Sequence, residues 1–207
     1  MHSNIFEADD LKNQKIYAKL FAENGRSFKT LNWGSVESQL LRFKVLSEIA
    51  NLNNQSILDV GCGLADYYQY LIDHQISADY CGLDITHPLI DEAREKFKGV
   101  KFLNSSLTDI DDELMFDYVF ASGIYTYRTK NENEFLQLMT QNMFNHCRKG
   151  VAFNSLSTWT SAKDDGEFYA DPLETLKFCK TLSPWVVMRH DYHARDFTIY
   201  IYKERNL

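Results

Sequence analysis

Between Ser56 and Asp66 the chain reads Ser-Ile-Leu-Asp-Val-Gly-Cys-Gly-Leu-Ala-Asp. Ser56 to Val60 is a short apolar run ending in a carboxylate. Gly61 and Gly63 bracket one residue, and Leu64 to Leu71 then opens a helix. A strand, a glycine turn and a helix N-terminus in that order form a nucleotide-binding corner. The glycines admit positive φ and close backbone approach, while the helix start offers N–H groups and partial positive charge. Asp66 stands where a dinucleotide fingerprint has its third glycine or an alanine. A carboxylate there disfavours a pyrophosphate, and Asp59 adds a second negative charge. The expected ligand is adenosyl-like and cationic.

The rest of the chain alternates strand and helix around this corner. Leu11, Ile16, Tyr17, Leu20 and Phe21 share one helical face, with Gly25 as the stop. Ser35 caps a second helix carried by Val36, Leu40, Leu41, Phe43, Val45, Leu46 and Ile49. Strands are expected at 79–84, 99–103, 116–121 and 150–154, with helices from Pro88 to Phe97 and from Glu134 to Cys147 between them. A polar segment, 155–171, is long enough to suggest a binding loop. A helix over 172–180 precedes a closing hairpin, 185–191 and 197–203. This order predicts an α/β, doubly wound, mostly parallel sheet with one antiparallel strand near its edge.

With 207 residues, 44% of them hydrophobic, and no repeat or linker, the chain reads as one domain, 1–207. Its formal charge of −7 argues against a generic grip on nucleic acid, which needs clustered Lys and Arg. Cys62, Cys81, Cys147 and Cys179 show no metal-ligand spacing, so no metal is expected and a reducing cytoplasm fits. The N-terminus has no secretory pattern, and no apolar run reaches the ~20 residues of a membrane helix.

Asp59-Val60-Gly61-Cys62-Gly63 resembles the first motif of class I methyltransferases that use S-adenosylmethionine. Trp33-Gly34 and the pair Gln39 and Arg42 resemble a Trp-Gly and a Gln-x-x-Arg found ahead of that motif in bacterial small-molecule members. The resemblance runs from Ser35 to Lys203 and is unspecific for substrate. It implies a seven-stranded sheet with a C-terminal antiparallel strand, a Rossmann-like core over 51–207 and lid helices over 1–50. It also implies S-adenosylmethionine as cofactor. Asp59, Gly61, Cys62 and Gly63 would then meet its methionine part. Asp84, 23 residues after Gly61, would take the ribose with Ile85 beside it, since an acid at the second strand tip suits both hydroxyls. Ser106 and Leu107 would lie by the adenine, Ser122 and Gly123 after the fourth strand, and Trp33 and Arg42 over the pocket, Arg42 on the cofactor carboxylate.

Each assignment has a plainer alternative. Asp59 caps its own turn, Asp84 caps the helix at Pro88, Ser106 is a loop serine, Tyr17, a candidate to close over the pocket, is core by its apolar stripe, and Arg42 pairs with an acid on a solvated face. Transfer from a sulfonium needs positioning and dryness more than acid–base help, so no universal catalytic residue is expected. Tyr125, Asn154 and His190 are the catalytic candidates. Tyr127, Arg128, Trp159, Tyr169, Asp191, Tyr192, His193 and Arg195 are further acceptor-side residues. The hairpin is expected to turn at the opposite sheet edge, which would make 190–195 a polar turn. The expected activity is methyl transfer to O or N of a small molecule, with no nucleic-acid or membrane partner and no reading of oligomeric state. A nicotinamide-dependent oxidoreductase and a non-catalytic cofactor-binding module are the alternatives.

Overall fold

The computed structural model describes residues 6–31, 34–127 and 131–205. Its sheet contains β1 (Ser56–Val60), β2 (Asp79–Asp84), β3 (Lys101–Asn104), β4 (Phe116–Ala121), β5 (Cys147–Leu156), β6 (Val186–Arg189) and β7 (Asp196–Tyr202). The spatial order is β3-β2-β1-β4-β5-β7-β6. Strands β1 to β5 pair in parallel, and β7 is antiparallel to both β5 and β6. The helices are α1 (Glu7–Asn24), α2 (Val36–Ser47), α3 (Asp66–Asp73), α4 (His87–Lys96), α5 (Glu132–Asn145) and α6 (Pro172–Leu182). The expected doubly wound, seven-stranded architecture is the observed one.

Strand side chains alternate between two cores, as a period of two requires. Ile57, Phe120, Ala152 and Tyr200 face a core shared with α2, α3 and α4. Leu58, Val119, Phe153 and Ile199 face one shared with α5 and α6. Tyr200 and Tyr202 donate their hydroxyls to the carbonyls of Val45 and Ile49, tying the end of α2 and the residues just beyond it to β7. Burial on both faces explains why these strands read as nearly continuous apolar runs.

Three expectations need correction. Because β6 runs with the parallel strands, the β6–β7 turn lies at the same edge as the carboxyl ends of β1, β2 and β4. The register shows it directly, with Leu156 opposite Asp196 and Arg189 opposite Thr198. Helix α2 exposes Val36 and Leu40 and buries Gln39 and Arg42, because both polar side chains find partners inside. No residue of α1 is buried, so it is a covering helix resting on α4 rather than part of a core. Smaller differences are shifts of frame: α5 buries Leu136, Met139, Thr140 and Met143, and β5 starts at Cys147 and reaches Leu156. Among the described residues no helix is long and apolar enough to cross a membrane.

Phe153 is wholly buried on β5, so Phe153→Ala should lower unfolding free energy by ~3–5 kcal/mol. Asp171 caps α6 through the amides of Leu173 and Glu174, and Asp171→Ala should cost only ~1 kcal/mol. Urea denaturation of the two variants checks this ranking, and equal losses would contradict it.

Candidate active site

The glycine corner is held by the end of β2. The amides of Gly61 and Cys62 both donate to the carbonyl of Leu83, at 2.7 and 3.0 Å. The Gly63 amide donates to Asp84 Oδ2 at 2.9 Å. Gly61 has φ +72°, and a Cβ there would stand 2.4 Å from Ile124 Cγ2. Both conformation and crowding therefore demand glycine. Asp66 opens α3 and receives a hydrogen bond from Gln39 Nε2 at 3.2 Å.

Asp84 accepts through both oxygens, the second from the Thr86 amide at 2.7 Å. The plainer reading of Asp84 is thus also true in part, since the bond to Thr86 is a local turn at the start of α4. Burial raises its carboxyl pKa, opposed by those two amides. Asp59 accepts the Tyr80 hydroxyl at 2.6 Å. Burial pushes the Asp59 carboxyl up to about 7; Tyr80 opposes this, and Asp84 and Asp66 add to it. The cavity thus has an acidic floor with little counter-charge.

Asp59, Gly61, Cys62, Gly63, Asp84, Ile85, Ser106, Leu107, Ser122 and Gly123 all line one cavity of about 150 Å³ at the carboxyl edge of the sheet. Apart from Gln39 and Tyr17, the motif pattern did not announce the other walls. Asp10, Asn13 and Tyr17 close over it from α1, Gln39 and Phe43 come from α2, and Phe135 and Met139 from α5. Tyr17 is therefore a cover and not core, and its ring lies 5.6 Å from Tyr127, edge to face. Trp33 and Arg128 lie outside the described residues.

Arg42 is not in this cavity. Its guanidinium pairs with buried Asp196 and bonds the Ser38 carbonyl at 3.0 Å, and it lines an adjoining cavity of about 470 Å³. The plainer reading had the right kind of partner, but the pair is buried. Gln39 and Arg42, three residues apart, thus serve different cavities. The second cavity also carries Asn154, Asp164, Glu167, His193, Arg195 and Asp196, and it shares Gly123 and Thr126 with the first. Its volume lies in the range of small-molecule sites.

The three catalytic candidates fare differently. Tyr125 is 2% exposed, with its hydroxyl 3.2 Å from Thr140 Oγ1 and its ring against Phe153. Burial pushes its hydroxyl pKa far up, so it is a core residue bordering the second cavity and not a base. Asn154 accepts from the Gly123 amide at 3.1 Å and donates to Ser122 Oγ at 3.0 Å. Both ends of its amide are engaged in shaping the turn between the cavities. His190 bonds Ser157 Oγ through Nε2 at 2.8 Å, packs between Trp159 and Phe197, and lines neither cavity. His193, three residues on, is the histidine that does. Trp159 is largely exposed. Tyr169 is tied to Glu167, Asp164 and Arg195.

Residues 57–150 match the methyltransferase domain family. A Mycobacterium tuberculosis protein named as a methyltransferase is 32% identical over 158 residues, covering 72% of this chain and 93% of that protein. Among solved structures, a complex of DhpI with S-adenosylhomocysteine aligns with TM-score 0.67 at 13% identity, covering 95% of each chain. The magnesium protoporphyrin IX methyltransferase of Synechocystis, also with bound S-adenosylhomocysteine, aligns with TM-score 0.65 at 12% identity, over 93% of this chain and 95% of that one. The site lies at the carboxyl edge where an open α/β sheet forms its ligand crevice. The chain belongs to the class I S-adenosylmethionine-dependent methyltransferases.

Proposed function

We propose that this enzyme methylates O or N of a small molecule, with S-adenosylmethionine in the first cavity and the acceptor in the second. The observation that carries this reading is the pair Asp59 and Asp84 in one cavity that meets a second, more polar cavity at Gly123 and Thr126. The residues present suit the cofactor. Asp59 offers a carboxylate to an ammonium, Asp84 keeps lone pairs for ribose hydroxyls, and Ile85, Leu89 and Leu107 supply apolar walls for a base. When bound, the cofactor supplies a methyl group on a sulfonium that departs from a neutral thioether.

The protein's task is then to place and to dry. The turn Ser122–Gly123, braced by Asn154, sets the distance between the two cavities. Tyr17 and Tyr127 screen the first cavity from water. The lid expected over 1–50 on a core spanning 51–207 narrows to α1, which has no buried residue while three of its side chains line the cavity; α2 instead shares the core with the sheet. The net charge of −7 favours a small acceptor over a nucleic acid, and the four free, buried cysteines suit a reducing cytoplasm.

Calorimetry should show binding of S-adenosylmethionine and S-adenosylhomocysteine, with at least a tenfold loss in Asp84→Ala. No heat from either at millimolar concentration would end the proposal. Trypsin cleavage within α1 should slow when S-adenosylhomocysteine is added, and unchanged cleavage would remove the lid. A third expectation concerns pH. The Asp59 carboxyl titrates at about 7 folded against 3.8 ordinarily, so the folded protein holds an extra proton between those values. Stability therefore falls as pH climbs from about 4 to about 7. Asp59→Asn should be more stable than wild type at pH 8 by a few kcal/mol, and equal to it near pH 4, by urea denaturation. Cofactor affinity should rise through pH 7 in wild type, because an ammonium favours the ionised Asp59, and should stay flat in the variant.

A further inference from the structure

We propose that His193 and Asp196 form a base dyad in the second cavity and that the methyl acceptor is a neutral hydroxyl compound. This rests on the two-cavity reading. His193 Nδ1 lies 2.6 Å from Asp196 Oδ2, and Asp196 is buried at the start of β7. Two lone pairs cannot approach that closely, so Nδ1 carries a proton and donates it to the carboxylate. The Arg195 amide, 3.2 Å from the same nitrogen, is placed to donate to it in the other tautomer, which the closer approach of Asp196 at 2.6 Å disfavours. Nε2 is left as the unprotonated nitrogen, and it has no hydrogen-bond partner among the described residues while the residue lines the cavity. A carboxylate that fixes the tautomer and supports the imidazolium formed later is the arrangement a histidine base needs.

The charges around the ring set its state and the class of acceptor. Arg42 reaches it from α2, Arg195 and Asp196 from the hairpin and β7, and Asp164 and Glu167 from the 157–171 loop. Burial lowers the His193 pKa, Asp196 opposes this, and Arg42 and Arg195 reinforce it, so the ring is neutral at pH 7. Arg42 is engaged by Asp196, and Arg195 by Asp164 and Glu167. The charge of each guanidinium is thus balanced by carboxylates, although Arg195 Nε is a buried donor without a partner among the described residues. With Asp164, Glu167 and Asp196 against two cations the cavity disfavours an anionic acceptor, and a carboxylate acceptor would need no base. An amine can lose its proton to water before it enters. A hydroxyl cannot, since its oxyanion is scarce at pH 7, and its proton must leave during transfer. In that step the acceptor oxygen forms a bond to the methyl carbon. The carbon–sulfur bond breaks with its electron pair on sulfur, and the hydroxyl proton passes to His193 Nε2 and later to solvent.

The test offers S-adenosylmethionine with matched panels of phenols and alcohols, carboxylic acids, amines and short RNAs to wild type and His193→Asn. Asparagine keeps a donor for Asp196 and removes the base. Expected are transfer to hydroxyl compounds, a rate that falls in acid as His193 gains its proton, and a 10²–10⁴-fold lower kcat in His193→Asn, without that acid limb and with unchanged S-adenosylhomocysteine affinity. Nitrogen-15 spectra of the wild-type complex with S-adenosylhomocysteine should show the Nδ1–H tautomer at His193. The Nε2–H tautomer, an unaltered rate or pH profile in the variant, transfer only to acids, amines or RNA, or no transfer to any hydroxyl compound would each overturn the dyad. Failure of wild type to bind S-adenosylhomocysteine would instead remove the reading beneath it.

Discussion

The Asp84 carboxylate joins the glycine corner to the tip of β2. It accepts the amide of Gly63 on one side and that of Thr86 on the other, while the Leu83 carbonyl takes those of Gly61 and Cys62. One short segment of β2 thereby aligns the turn after β1 and the start of α4. Without it the ends of β1 and β2 would present no common floor. Because the parallel register leaves Val60 beside both Leu83 and Ala121, the loops after three strands emerge at one level and build one wall.

That wall is costly in electrostatic terms. Asp59, Asp66 and Asp84 crowd together with Tyr80 and Gln39 as neutral partners. Burying like charges raises carboxyl pKa values, and this is the reason Asp59 titrates near neutrality. Perturbed acids of this kind gather at functional sites. The second cavity follows the opposite rule, since its cations and anions are paired with one another: Arg42 with Asp196, Arg195 with Asp164 and Glu167. The first cavity gathers acids that have neutral partners, and the second a set of mutually paired charges.

The fold was legible because strands buried on both faces must be apolar and helices buried on one face must repeat at their own period. Strands β2 and β4 stand where the apolar runs ended. Much of the first cavity was legible too, since glycines and acids at strand ends are local signals. Boundaries were less so: Cys147 looks like the end of a helix until β4 pairs with it. Arg42 was misplaced because spacing along α2 shows which residues share a face but not what the face meets. Its partner lies 154 residues away. The hairpin histidines could not be separated by sequence, as three residues decide which packs between Trp159 and Phe197 and which lines the cavity.

What the chain's own order settled is therefore short-range: a strand, a tight glycine turn, a helix, and an acid one strand later, each dictated by backbone sterics and apolar period. The joining of α2, the 157–171 loop and the β6–β7 turn into a second cavity came from elsewhere. Those segments meet only because β6 runs parallel to β5, a consequence of sheet pairing across distant parts of the chain that no local pattern encodes.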